Sequence, residues 1–251
     1  MTSDLMSRKY ERLLLRPTQS YARPVAAPIY ARATQDAFVF IVEDDLSMRE
    51  GLVDLLESVG LQSRAFSSPT ELLNMELPDL AGCFVLDIRL PGISGLDFQA
   101  RLVAAGVRIP IIFMTGHADV PMAVKAMKAG AVDFLTKPFR EQEMLDAVTR
   151  AIELDGMRLD SDRQAIETFA RFQTLSERER EVMDLVTAGL MNKQVAGRIG
   201  VVESTVKIYR AQVMRRMRAQ SLADLVRMAE LLRSAPAPIT SLGVMADRLK
   251  W

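Results

Sequence analysis

Four short apolar runs in the sequence stop at residues able to do chemistry. "FVFIV" (38–42) runs into Glu43, Asp44 and Asp45, and "CFVLD" (83–87) ends on Asp87. "IPIIFMT" (109–115) ends on Thr115, and "AVDFLTK" (131–137) ends on Lys137. Taken singly, each has a plain role: Asp87 a turn or capping residue, Lys137 a solvated charge. If the runs are parallel strands of one sheet, their ends share a rim, where functional groups of open α/β sheets gather. Carboxylates converging there repel one another unless a cation stands among them. Hard oxygen donors suit Mg2+, which accepts one or two carboxylates and keeps several waters. With Lys137 and Thr115 adding an ammonium and a hydroxyl, the rim suits phosphoryl transfer with Asp87 as nucleophile.

Placing these residues requires five strands, and the sequence supplies them in alternation with helices. Between the first two runs, "SMREGLVDLLESVG" (47–60) carries a Leu52, Leu55, Leu56, Val59 stripe, with Ser47 and Glu50 as capping box and Gly60 as C′ residue. "LQSRAF" (61–66) is a strand, and "SPTELLNME" (68–76) a helix with Ser68 as N-cap and Glu71 completing its box. Helices follow at 94–106, starting at Ser94, and at 119–130; another opens near Arg140. The strands are continuous apolar runs rather than alternating ones. This implies a doubly wound α/β domain whose parallel sheet is covered on both faces.

The totals narrow the chemistry. With one cysteine, Cys83, and one histidine, His117, in 251 residues, disulfide frameworks and Cys- or multi-His metal sites are excluded. Cys83 reads as an inert buried thiol and His117 as a loop residue. No secretory signal and no run of about 20 apolar residues is present, so the expectation is a soluble protein of a reducing compartment, the cytoplasm, with no membrane partner. The zero net charge hides a pattern: +4 over 1–35, −5 over 36–140, −4 over 141–173 and +4 over 174–233. An acidic half joined to a basic half indicates two domains with different partners.

The quoted motifs then carry a resemblance. "VEDD", "LDIRLPGISG", "MTGHAD" and "DFLTKPF" resemble, in order and spacing, the receiver domain of two-component response regulators over about 36–155. The resemblance implies a flavodoxin-like sheet of order 2-1-3-4-5, with Asp87 phosphorylated by a partner sensor histidine kinase. It also implies Mg2+ (or Mn2+) held by Glu43, Asp44, Asp87 and the backbone carbonyl of Arg89. Thr115 and Phe134 would be the switch pair and Lys137 the phosphate-binding lysine. Glu43 departs from the family, where Asp is usual.

The basic half reads as helices at 176–188, 192–199, 203–218 and 221–233, with Ser176/Glu179 and Ser221/Asp224 at two starts and Asn192 as N-cap of the second. Six basic residues and one acidic lie between Arg198 and Arg218, after a Gly-containing turn. That arrangement fits a recognition helix in the major groove. "LSERERE", "GLMNKQVAGRIGV" and "STVKIYRAQVMRRM" resemble the LuxR-type helix-turn-helix domain. By that resemblance Lys207, Ile208 and Ala211 face bases, while Lys193, Thr205, Arg210 and Arg215 contact phosphates. Tyr209 and Ala211 depart from the family pattern. Val182, Leu185, Val195, Ile199 and Val206 read as core.

The expected organisation is a disordered basic arm (1–36), a receiver core (37–140), a fifth helix and helical linker (141–173), a LuxR-type domain (174–233) and a flexible tail (234–251). In the linker, Leu145, Val148, Ile152, Leu159, Ile166 and Phe169 fit a heptad seam interrupted by Asp155 and Asp162. A broken coiled coil and a solvated linker helix both fit; if helical throughout, its 33 residues span about 50 Å. The whole resembles a FixJ/StyR-like transcriptional regulator rather than an enzyme. Its expected partners are the kinase, promoter DNA, the transcription machinery and, on phosphorylation, a second copy. Two rivals stand beside it: a phosphorylation-independent DNA-binding protein and a Mg2+-dependent phosphohydrolase. Phosphohydrolases of that kind carry a second carboxylate where this chain has Arg89.

Overall fold

A computed structural model describes residues 37–73, 80–116 and 120–234. The readings of the N-terminal arm, of His117 and of the tail from 235 onward lie outside them. The described residues form two compact units that part between Leu159 and Asp160, inside one helix.

The first unit alternates strands and helices: β1 (Ala37–Val42), α1 (Leu46–Ser58), β2 (Gln62–Phe66), α2 (Pro69–Leu73), β3 (Ala81–Asp87), α3 (Gly95–Ala104), β4 (Ile111–Thr115), α4 (Val120–Lys128), β5 (Asp133–Thr136) and α5 (Glu141–Gln173). The sheet has the order β2-β1-β3-β4-β5 with every pair parallel. The apolar runs explain its two layers, since successive side chains of a strand point to opposite faces. Phe40, Val42, Phe84, Leu86 and Phe113 bury one face against Leu72 of α2, Phe98 and Leu102 of α3 and Ala126 of α4. Val39, Ile41, Cys83, Val85, Ile112 and Met114 bury the other against Leu52 and Leu56 of α1 and Met144, Val148 and Ile152 of α5. Cys83 is buried in that layer, and burial pushes its thiol pKa up.

Some helix starts differ from the expected caps. Asp45, not Ser47, caps α1, its Oδ1 accepting from Met48 N at 2.7 Å. Glu71 accepts from the backbone N and the Oγ of Ser67, not from Ser68. Ser94 caps α3 as expected, and Gly60, with φ 78°, ends α1.

Helix α5 is continuous over 33 residues. Its apolar positions do not form a coiled-coil seam: Val148 and Ile152 pack on the sheet, whereas Ile166 and Phe169 join the core of the second unit. Asp155 is fully buried. Its Oδ2 accepts from the backbone N of Gly82 at the start of β3 (3.0 Å) and its Oδ1 from Arg158 Nε (2.6 Å).

The second unit contains α6 (Glu177–Thr187), α7 (Asn192–Ile199), α8 (Glu203–Met217) and α9 (Leu222–Ser234). Ser176 and Glu179 form the expected capping box. The cap of α7 is Met191, whose N donates to Gln194 Oε1, so Asn192 is the first helical residue and not the cap. Gly200 (φ 71°) supplies the left-handed residue that turns the chain from α7 into α8. Val182, Val195, Ile199 and Val206 are buried together, with Leu185 packed against them.

Candidate functional site

Register brings the rim together. β1 lies between β2 and β3, so Glu43, the next residue after β1, stands beside the end of β3; its N donates to Phe66 O. Asp87 pairs in register with Met114, and Lys137 N donates to Thr115 O at 2.8 Å, placing Lys137 beside β4. The loop after Asp87 returns closely onto the strand. A Cβ on Gly95 would fall 2.4 Å from the Asp87 carbonyl oxygen, so the first residue of α3 has no room for a side chain.

On this rim Lys137 Nζ lies 2.6 Å from both Glu43 Oε2 and Asp87 Oδ2. Glu43 (1% exposed) and Asp87 (6%) are buried, Asp44 is exposed, and Thr115 is buried. Asp87 Oδ1 also accepts from Arg89 N at 2.8 Å. Burial raises the Glu43 pKa above the ordinary carboxylate value, and Lys137 only partly opposes it. For Lys137, burial favours loss of the proton, but hydrogen bonds and charge from Asp87 and Glu43 outweigh it and raise the ammonium pKa. One cation against three carboxylates leaves the cluster anionic. Oxygens of Glu43, Asp44 and Asp87 lie within 4.8 Å of one another, a donor set that fits a hard divalent cation. Phe134 is partly buried at the edge of the core that includes its register partner Phe113.

In the second unit α8 turns Val206, Val213 and Met217 inward. Lys207, Ile208, Ala211 and Arg215 are exposed on its outer side, as is Lys193 on α7. Thr205 and Arg210 are half-buried, and Arg210 Nη1 donates to Asn192 Oδ1 at 3.2 Å, tying α8 to α7.

Known proteins share both halves. Residues 39–149 match the response regulator receiver domain and residues 173–229 the luxR family of bacterial regulatory proteins. The chain is 56% identical over 203 residues to nodulation protein W of Bradyrhizobium diazoefficiens, covering 81% of this chain and 89% of that one. It is 43% identical over 199 residues to the transcriptional regulatory protein FixJ of Azorhizobium caulinodans, covering 79% and 94%. The chain belongs to the response-regulator family. A solved structure of the response regulator StyR has a TM-score of 0.67 at 44% identity, covering 78% of this chain and 98% of that one. The protein is thus a transcriptional response regulator with a receiver domain and a LuxR-type DNA-binding domain. Among the described residues of this response regulator, no helix is long and apolar enough to cross a membrane.

Three side chains of the response regulator escaped the sequence reading. Arg49 Nη1 donates to the backbone carbonyls of Glu43 (2.8 Å) and Asp44 (3.2 Å), bracing the main chain that carries both acids. Asp155 looked like an interruption of a seam. Glu179, read only as a capping residue, also pairs with Arg216 Nη1 at 3.3 Å, fastening the last turn of α8 to the start of α6.

Proposed function

We propose that Asp87 accepts a phosphoryl group from a histidine of a partner sensor kinase: the P–N bond breaks as a P–O bond forms to the carboxylate. Three carboxylates and Lys137 converging on one rim are the observation that carries this reading. Glu43, Asp44, Asp87 and the Arg89 carbonyl would hold Mg2+ or Mn2+, which when bound offsets charge on the phosphoryl oxygens. Lys137 follows the added phosphoryl oxygens as a fixed cation, and Arg89 N orients Asp87. The Thr115 hydroxyl then turns toward the phosphoryl group, and Phe134 repacks inward behind it.

Repacking at β4 and β5 reaches the surface formed by α4, β5 and the start of α5 (about 119–150). Val120, Val124 and Met127 form an exposed i, i+4, i+7 apolar stripe on α4, which supports pairing with a second copy. Dimerisation presents two α8 helices to the half-sites of a promoter in the cytoplasm, for reading by the transcription machinery. Lys207, Ile208 and Ala211 face bases; Lys193, Thr205, Arg210 and Arg215 meet phosphates.

The test is acetyl-phosphate labelling with and without Mg2+, followed by a gel shift on upstream DNA. Labelling of one phosphate per chain, lost in Asp87→Asn, and tighter DNA binding after labelling are expected. DNA binding unchanged by the phosphodonor would sink the phosphorylation step. Sustained turnover of a chromogenic phosphate ester would favour a phosphohydrolase.

A further inference from the structure

We infer that α8 reads the 5-methyl groups of thymine, through an apolar step formed by Ile208 and Ala211. The inference rests on the placement of α8 in the DNA major groove and adds what it recognises there. Ser204, Lys207, Ile208, Ala211 and Arg215 are all exposed and follow i, i+3, i+4, i+7, i+11 spacing, so they form one outward stripe. Val206, Val213 and Met217 occupy the opposite, buried side. Folding gains little from Ile208, which is 58% exposed in the middle of a basic helix. A β-branched residue there also costs helix propensity relative to Lys, Arg or Gln. One turn on, Ala211 extends the apolar strip, while Lys207 and Arg215 border it with positive charge suited to a phosphate backbone.

The side chains that read purines by paired hydrogen bonds are missing from the middle of this stripe. Arg210 is half-buried and engaged by Asn192, and Gln212 is half-buried. Lys207 pairs with Glu203 at 3.4 Å, an exposed contact weak enough to be exchanged for DNA. In the major groove, thymine alone among the four bases offers a methyl group. A stripe that is basic at its borders and apolar at its centre is therefore complementary to a half-site with thymine beneath Ile208 and Ala211.

The experiment uses the full chain, treated with acetyl phosphate and Mg2+, to enrich binders from a random duplex library. The enriched pool is then copied with dTTP or with dUTP, which keeps every base pair and removes only the thymine methyls. The wild-type protein is expected to bind the dUTP copy about fourfold more weakly for each methyl it covers, about fifteenfold for two. Ile208→Ala with Ala211→Gly should bring the ratio of the two affinities close to one. Lys193→Gln should weaken both copies alike. Equal binding of both copies by the wild type would overturn the inference. So would a ratio unchanged in the double variant, since the effect would then lie in DNA flexibility. Failure to enrich any duplex would overturn the placement of α8 in DNA, and the inference with it.

Discussion

The acidic rim and the recognition helix are built in opposite ways. At the rim, Lys137 meets partners 94 and 50 positions away and partly offsets their buried charge. The stripe on α8 comes from 15 consecutive residues, and its charges face water. A site assembled from distant strand ends in a low-dielectric setting should fail abruptly and respond to pH. A local, solvated surface should lose function by degrees and respond to salt. The same chain is thus expected to carry an all-or-none site and a graded one.

Substitutions can break or sharpen that contrast. The largest effect is expected for Asp87→Asn, which removes the proposed attacking carboxylate; acetyl-phosphate labelling read on a phosphate-affinity gel should fall at least about 100-fold. A single outward substitution on α8 that abolished DNA binding as completely would break the contrast.

Next comes Lys137→Met, which leaves Glu43 and Asp87 without their shared cation. Because Lys137 is partly exposed and the carboxylates can take up protons, the expected loss is about 2 kcal/mol at pH 7 in chemical denaturation, below the range for a fully buried pair. Part of that loss should return at pH 5.

A smaller effect concerns Glu43 alone. Its folded pKa is raised above 4.5, so the fold favours the protonated form. Its contribution to stability is complete below about pH 4.5 and is lost as pH rises through the folded value. Without metal, Glu43→Gln should therefore flatten the stability profile between pH 4.5 and neutrality; an unchanged profile would show that another group governs it. Lys137 acts at the other end of the scale: its contribution is complete below 10.5 and lost as pH rises through its raised value.

The smallest effect is expected for Lys193→Gln or Arg215→Gln. Each should weaken DNA binding several-fold on every sequence and reduce the salt slope by about one. An effect confined to one sequence would place that side chain against bases instead.

The contrast also sets what could be read from the sequence. The rim was legible because four of the five strands are apolar runs with a chemically able residue at or just past their last position, and parallel pairing lines those residues up. The recognition helix was legible because its pattern is local. Helix caps were less so: Asp45 and Met191 sit one or two positions from the expected Ser47 and Asn192, and Glu71 reaches Ser67 rather than Ser68, a choice set by geometry within a single turn. Arg49 was missed and Asp155 misread for a different reason. Their partners are backbone groups, which carry no signature in side-chain pattern, and Gly82 lies 73 residues from Asp155.

The Asp155–Gly82 bond bears on how halves of such regulators can be exchanged. β3 is held at its far end through Asp87 and at its near end by a carboxylate from α5. Receiver-family similarity ends at residue 149, before that carboxylate. A hybrid spliced there would take position 155 from the other parent, and any residue there other than a carboxylate would orphan the buried Gly82 N–H, a defect costing about 1–3 kcal/mol. Gly82 cannot adapt by gaining a side chain, since a Cβ would lie 2.4 Å from the Phe38 carbonyl oxygen. Grafts joined after Arg158 keep the carboxylate and its arginine with the strand they serve, so the better seam for recombination lies nine residues further along α5.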